Sequence, residues 1–166
     1  MSNRSEALAN RLEQAVEEFA KTIESCTDAQ WRAVCNAEGW TVGQTAQHVA
    51  GQFPLEMEYV TAVAEGNPMP SYSWDDVNSK NEARAEKNAS TTRSDVLKEL
   101  RARAASTSTY IRALSDEQLD RTAALALADG AIVSTQQVIE SGILIEHVTG
   151  HLESIRAGAG TVAAVA

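Results

Sequence analysis

His48, His147 and His151 are the only histidines in the 166-residue chain. Two belong to the run His147-Val148-Thr149-Gly150-His151, and the third opens His48-Val49-Ala50-Gly51-Gln52, nearly the same pentapeptide. Residues four apart on a helix share a face, with Cβ atoms about 5–6 Å apart. Two imidazoles at that spacing can hold one metal ion. A third from another helix would complete a facial set and leave coordination positions open for water or substrate. Zinc proteases of the H-E-x-x-H type are excluded, because they place a glutamate directly after the first histidine as general base. Here that position is Val148.

Such a site needs two helices that meet, and the apolar periodicity supplies four long ones. The first runs from about Ser5 to Cys26, with Leu8, Leu12, Val16, Phe19, Ile23 and Cys26 on one stripe. The second begins at Thr41, where Thr41 and Gln44 form a capping box, and buries Val42, Ala46, Val49, Phe53, Met57 and Val60. Pro54 lies inside it and removes a backbone donor, which predicts a kink one turn past His48. Residues 66–91 form a long connection that holds a short helix from Trp74 to Asn88, capped by Ser73. The third helix spans about Thr92 to Leu114. Asp129-Gly130 marks a tight turn between two short extended pieces. The fourth helix opens at Ser134 or Thr135 and continues to about Ala157.

On a continuous fourth helix, at about 100° per residue, His147 and His151 flank the buried stripe, and Glu140 falls in their arc. Glu140 starts about 10 Å along the axis from His147 at about 1.5 Å per residue. It is therefore the candidate base, or a partner behind the ligands, and not a ligand itself. Gln44 and Gln52 stand one turn either side of His48, and Trp40, Tyr59, Trp74 and Asn78 are candidate pocket walls. Gly51 and Gly150 suggest close helix approach. An internal echo supports pairing the halves: Ile23-x-x-Cys26-Thr27-Asp28-x-Gln30 parallels Ile111-x-x-Leu114-Ser115-Asp116-x-Gln118. Each precedes a helix carrying His-Val-x-Gly. Two short loops would make antiparallel neighbours of the first and second helices, and of the third and fourth. The 66–91 crossover would bring the second and fourth together.

Composition bounds the rest. The length fits one domain, with the bundle over 5–157 and a flexible tail over 158–166. Apolar residues are 43% and charged residues 22%, as in soluble globular proteins. A net charge of −9 disfavours nucleic acid. The densest basic stretch, Arg93 to Arg103, is interrupted by Asp95 and Glu99 and reads as a solvated helix face. No transmembrane segment or signal-peptide core is visible, which leads to expectations of no membrane partner and a cytoplasmic setting. Cys26 and Cys35 fit no C-x-x-C pair and are expected to be reduced, Cys35 in the core or as a peripheral thiol.

Two segments then carry a family resemblance. They are Gly39-Trp40-Thr41-Val42-Gly43-Gln44-x-x-x-His48-Val49-Ala50-Gly51 and Ile145-Glu146-His147-Val148-Thr149-Gly150-His151-Leu152-x-x-Ile155-Arg156. The chain resembles the DinB-like superfamily of four-helix bundles, which includes YfiT-type metal proteins and relatives of mycothiol-dependent maleylpyruvate isomerase. The resemblance implies an all-α, up-down-down-up four-helix bundle with a long crossover between helices 2 and 3. It implies a divalent ion (zinc, nickel or iron) on His48, His147 and His151, and a homodimer. It also implies a small-molecule substrate and, in some members, a low-molecular-weight thiol. A thiol-dependent S-transferase-like reaction at the metal is the leading expectation. Metal-dependent hydrolysis and a non-catalytic metal- or ligand-binding bundle are the alternatives.

Overall fold

Local capping decides where most elements start. The computed structural model describes residues 2–163. Helix α1 (Asn3–Ser25) opens where the Ser2 side chain accepts from the Arg4 and Ser5 amides. Its expected stripe from Leu8 to Ile23 is buried. Thr27 and Gln30 close a capping box on α2 (Asp28–Trp31). A two-residue hairpin follows, β1 (Val34–Cys35) and β2 (Trp40–Thr41), pairing Cys35 with Trp40. Sequence periodicity gives no sign of it, because two residues are too few to show alternation. Helix α3 (Val42–Glu65) starts at the expected Thr41/Gln44 box, and Gly66 ends it at φ 79°. That left-handed cap favours glycine.

Ser73 caps α4 (Trp74–Lys87), and Thr92 caps α5 (Arg93–Ala113). Ser115 and Gln118 box α6 (Asp116–Asp120). Strands β3 (Thr122–Leu125) and β4 (Ala131–Ser134) pair antiparallel, joined by a 3-10 turn over Ala126–Ala128. Asp129 and Gly130 turn the chain at φ 53° and 79°, which accounts for the Asp-Gly signal. The anticipated fourth helix is two pieces, α7 (Thr135–Glu140) and α8 (Ile145–Ala163). Ser141 leaves the helix in extended geometry. Its carbonyl accepts from the Leu144 and Glu146 amides, and the Ile143 amide reaches its hydroxyl. Ser-Gly is a turn dipeptide, so Ser141-Gly142 did carry the signal, and a continuous helix was the wrong reading.

The long helices pack differently from the short-loop expectation. Helix α1 packs on α5 and α8, and α3 packs on the same two. The intervening segments are not simple turns: the first holds α2 and a hairpin, and the second holds α6, a hairpin and α7, long enough to carry the chain across the bundle. The pairing that matters for the site, α3 against α8, is present. Helix α8 continues to Ala163, past the expected start of a frayed tail at Gly158, while residues 164–166 lie outside the described residues. Both cysteines are free and buried, so Cys35 is a core residue and not a peripheral thiol. Gly150 has open space around it and marks no close helix contact, whereas a Cβ on Gly51 would sit 3.3 Å from the Arg84 side chain of α4. The approach is tighter still at Gly43, where a Cβ would sit 2.7 Å from the Trp31 ring. No helix among the described residues is long and apolar enough to cross a membrane.

Candidate metal centre

Helix α3 presents His48 from its second turn, while α8 presents His147 and His151 on adjacent turns. The three rings converge. Their centroids lie 5.0 Å (His48–His147), 4.9 Å (His48–His151) and 4.6 Å (His147–His151) apart, and each pair meets edge-on. One ring nitrogen from each lies within 4.8 Å of the others, a group that could hold a metal ion. The Nε2 atoms of His48 and His147 are 3.0 Å apart. Two imidazole ligands of one ion, at bond lengths of about 2.0–2.1 Å, stand about 3 Å apart.

Carboxylates sit behind two of these rings. Glu38, in the β1–β2 loop, brings Oε1 to 2.8 Å from His151 Nδ1. Glu56, two turns beyond His48 on α3, brings Oε1 to 2.7 Å from His147 Nδ1. The Glu38 contact has hydrogen-bond alignment; the Glu56 contact is close but misaligned, and neither Glu56 oxygen has another partner. Carboxylates on Nδ1 fix the tautomer and ring orientation and leave Nε2 as the ligand atom, a recurrent arrangement in histidine metal sites. His48 Nδ1 is buried and without a partner, and the Trp40 ring lies 5.2 Å from the His48 ring.

Burial holds the cluster neutral. Desolvation, reinforced by the other two histidines and by Arg84, lowers the His48 pKa to about 2. Desolvation alone lowers His147 to about 4. His151 is lowered too, by desolvation and His147 against the opposing pull of Glu38. Glu56, fully buried, is pushed well above the usual carboxylate range, with Arg84 only partly offsetting the loss of solvent. Metal ligation needs neutral imidazoles. Three of them, two with carboxylates behind them, fit a divalent ion that accepts nitrogen ligands.

The cluster forms the floor of a cleft of about 440 Å³. Of the sequence candidates, Gln52, Trp40, Tyr59, Trp74 and Asn78 line it. Trp74, 59% exposed, is fixed at the rim by donating from Nε1 to the Leu127 carbonyl at 3.0 Å. Gln44 does not reach the cleft: its side chain completes the Thr41 cap and donates to the Ala85 carbonyl. Glu140 does not reach it either, because the break at Ser141 resets the helical phase on which its placement depended. Its carboxylate instead pairs with Arg11 and receives Gln136. Periodicity passed over Glu38 and Glu56. The signal for Glu56 existed, since His48, Gln52 and Glu56 recur every four residues. Glu38 lies in a loop, where no period applies.

A family model described as the DinB superfamily matches residues 11–155. No curated protein matches the chain. In fold it is similar to YfiT from Bacillus subtilis, described as a probable metal-dependent hydrolase with an unusual four-helix bundle topology. Identity is 19% and the TM-score 0.77, over 98% of this chain and 90% of that one. It is similar to the colibactin self-resistance protein ClbS, solved with double-stranded DNA, at 12% identity and TM-score 0.66, over 93% and 94% of the two chains. It is also similar to the mycothiol-dependent maleylpyruvate isomerase at 13% identity and TM-score 0.63, covering 96% of this chain and 62% of that one. At such identities the likenesses concern the fold alone.

Proposed function

The chain belongs to the DinB superfamily, and from that premise we propose that it is a metal-dependent enzyme that joins a low-molecular-weight thiol to an electrophilic small molecule. The observation that carries this reading is the set of three neutral imidazoles on a cleft floor, two of them backed by Glu38 and Glu56. His48, His147 and His151 would hold the ion. A divalent ion there supplies Lewis acidity, which lowers the pKa of a thiol or water entering an open position.

The chain's own residues do the rest. Glu38 is engaged with His151 through Oε1, and Glu56, behind His147, is pushed by burial toward its protonated form, which makes it a poor base for attacking water. Glu82, the other carboxylate of the cleft, is exposed on α4. This distribution favours a thiol, which needs no separate base once its pKa is lowered. Leu55, Val77, Leu127 and Ile143 give the cleft apolar walls that keep water from a bound electrophile. The same reading takes the long helices in up-down-down-up order and the chain as a cytoplasmic homodimer.

The test compares protein reconstituted with zinc, nickel or iron against chelator-treated protein, using monochlorobimane and a panel of small thiols. Conjugation that needs both thiol and metal, and is lost in His151→Ala, is expected. Metal-dependent cleavage of p-nitrophenyl acetate without thiol would replace transfer with hydrolysis. Metal binding without either reaction would make the chain a binding protein.

A further inference from the structure

The electrostatics of the cleft carry an inference about what enters it. The charged side chains on its lining are Glu38 and Glu82, since burial favours the neutral form of Glu56, and no lysine or arginine lines it. Arg84 does not line the cleft: its Nη1 donates to Gln52 Oε1, and its charge acts on His48 and Glu56 from outside the lining. A carboxylate or phosphate on a ligand would find no cationic side chain on this lining, and buried charge without a counter-charge is costly. Glu38 and Glu82 also weaken the positive field of a divalent ion held there, which disfavours a second anionic group.

The α4 wall of the cleft is built differently. Trp74, Val77, Asn78, Asn81 and Glu82 fall on one face of α4, at the i, i+3, i+4, i+7, i+8 spacing. Asn78 and Asn81 line the cleft a turn apart, and their carboxamides make no hydrogen bond among the described residues. Glu82 has no ion-pair partner there either. Two free amides and a free carboxylate on one wall offer acceptors and donors to hydroxyl, amide or ammonium groups.

We propose that the cleft selects ligands whose non-reacting part is uncharged or cationic, bears amide or hydroxyl groups and lacks carboxylates, and that Asn78, Asn81 and Glu82 set this selection. The proposal rests on reading the cleft as a substrate site but not on the reaction being thiol transfer.

Three thiols of similar size test it on the zinc-reconstituted protein by calorimetry: N-acetylcysteamine (neutral), cysteamine (cationic) and 3-mercaptopropionate (anionic). The first two should bind at least about tenfold more tightly than the third, about one power of ten in Kd. Glu82→Lys, a change at an exposed position, should narrow that gap, while Asn78→Leu with Asn81→Leu should weaken N-acetylcysteamine most. Unchanged melting temperatures check that the variants fold. Equal or tighter binding of 3-mercaptopropionate, or a ranking that Glu82→Lys leaves intact, would overturn the proposal. A parallel pair of esters, p-nitrophenyl acetate and the p-nitrophenyl monoester of succinate, separates the two readings. If no thiol binds but the neutral ester is cleaved in preference to the anionic one, thiol transfer fails and the selection stands. If no member of either series binds or reacts, both fail.

Discussion

Glu56 is the residue on which the site's architecture turns. It is 3% exposed, sits 2.7 Å from His147 Nδ1 and has no other polar partner. Glu56→Gln keeps its volume and removes the acid. Loss of such a partner typically costs 10–100-fold in metal affinity, so competition with a chelator should show a drop of about that size while the circular dichroism spectrum is unchanged. An affinity equal to wild type would mean that Glu56 does not act through His147. The histidines make a second prediction, for the metal-free protein. Unfolded histidine takes a proton below about pH 6.5, whereas His147 resists until about 4 and His48 until about 2. Between those values the unfolded state binds more protons, so stability falls as pH falls. Glu56 works the other way above its usual range, keeping a proton that the unfolded chain releases. His48 and His147 together outweigh one raised carboxyl between pH 6.5 and 5, and the lowered His151 acts in the same direction. Chelated protein should therefore melt at lower temperature at pH 5 than at pH 7; a flat or rising profile would contradict the burial described for the cluster.

At the scale of elements, glycine positions give a paired prediction. Gly43→Ala puts a Cβ 2.7 Å from the rigid Trp31 ring, which should cost about 1–3 kcal/mol. Gly150→Ala meets nothing within 4 Å on α8 and should stabilise by about 0.5–1 kcal/mol. Urea denaturation of both variants checks the pair, and a reversed order would mean that α2 does not pack on α3 as described. The caps show what sequence can carry at this scale. Thr41 and Ser73 cap the helices their positions predict, and Thr92 and Ser115 cap theirs in the same way, because a cap is a local bond between residues two or three apart. The break at Ser141 was legible only as one dipeptide against a strong helical period, and it alone moved Glu140 from the candidate site to Arg11. The β1–β2 hairpin had no local period, so Glu38, which it positions, was out of reach as well.

The whole molecule depends on a long-range meeting that no local pattern specifies. His48 and His147 are 99 residues apart in sequence and 3.0 Å apart at their Nε2 atoms. The repeated His-Val-x-Gly context and the crossover point to that meeting, although short-loop pairing does not describe the helices around it, where α1 and α3 each pack on α5 and α8. The packing of α3 and α8 on common neighbours α1 and α5 holds the two ligand-bearing faces together. If the three rings exist to hold one ion, occupancy must depend on all of them. The most direct test is elemental mass spectrometry of untagged protein, wild type beside His151→Ala. About one equivalent of a divalent metal in wild type, lost in the variant, is the expected result. Wild-type protein that takes up no metal even after reconstitution, or a variant that retains a full equivalent, would contradict the assignment of this cluster as a metal centre.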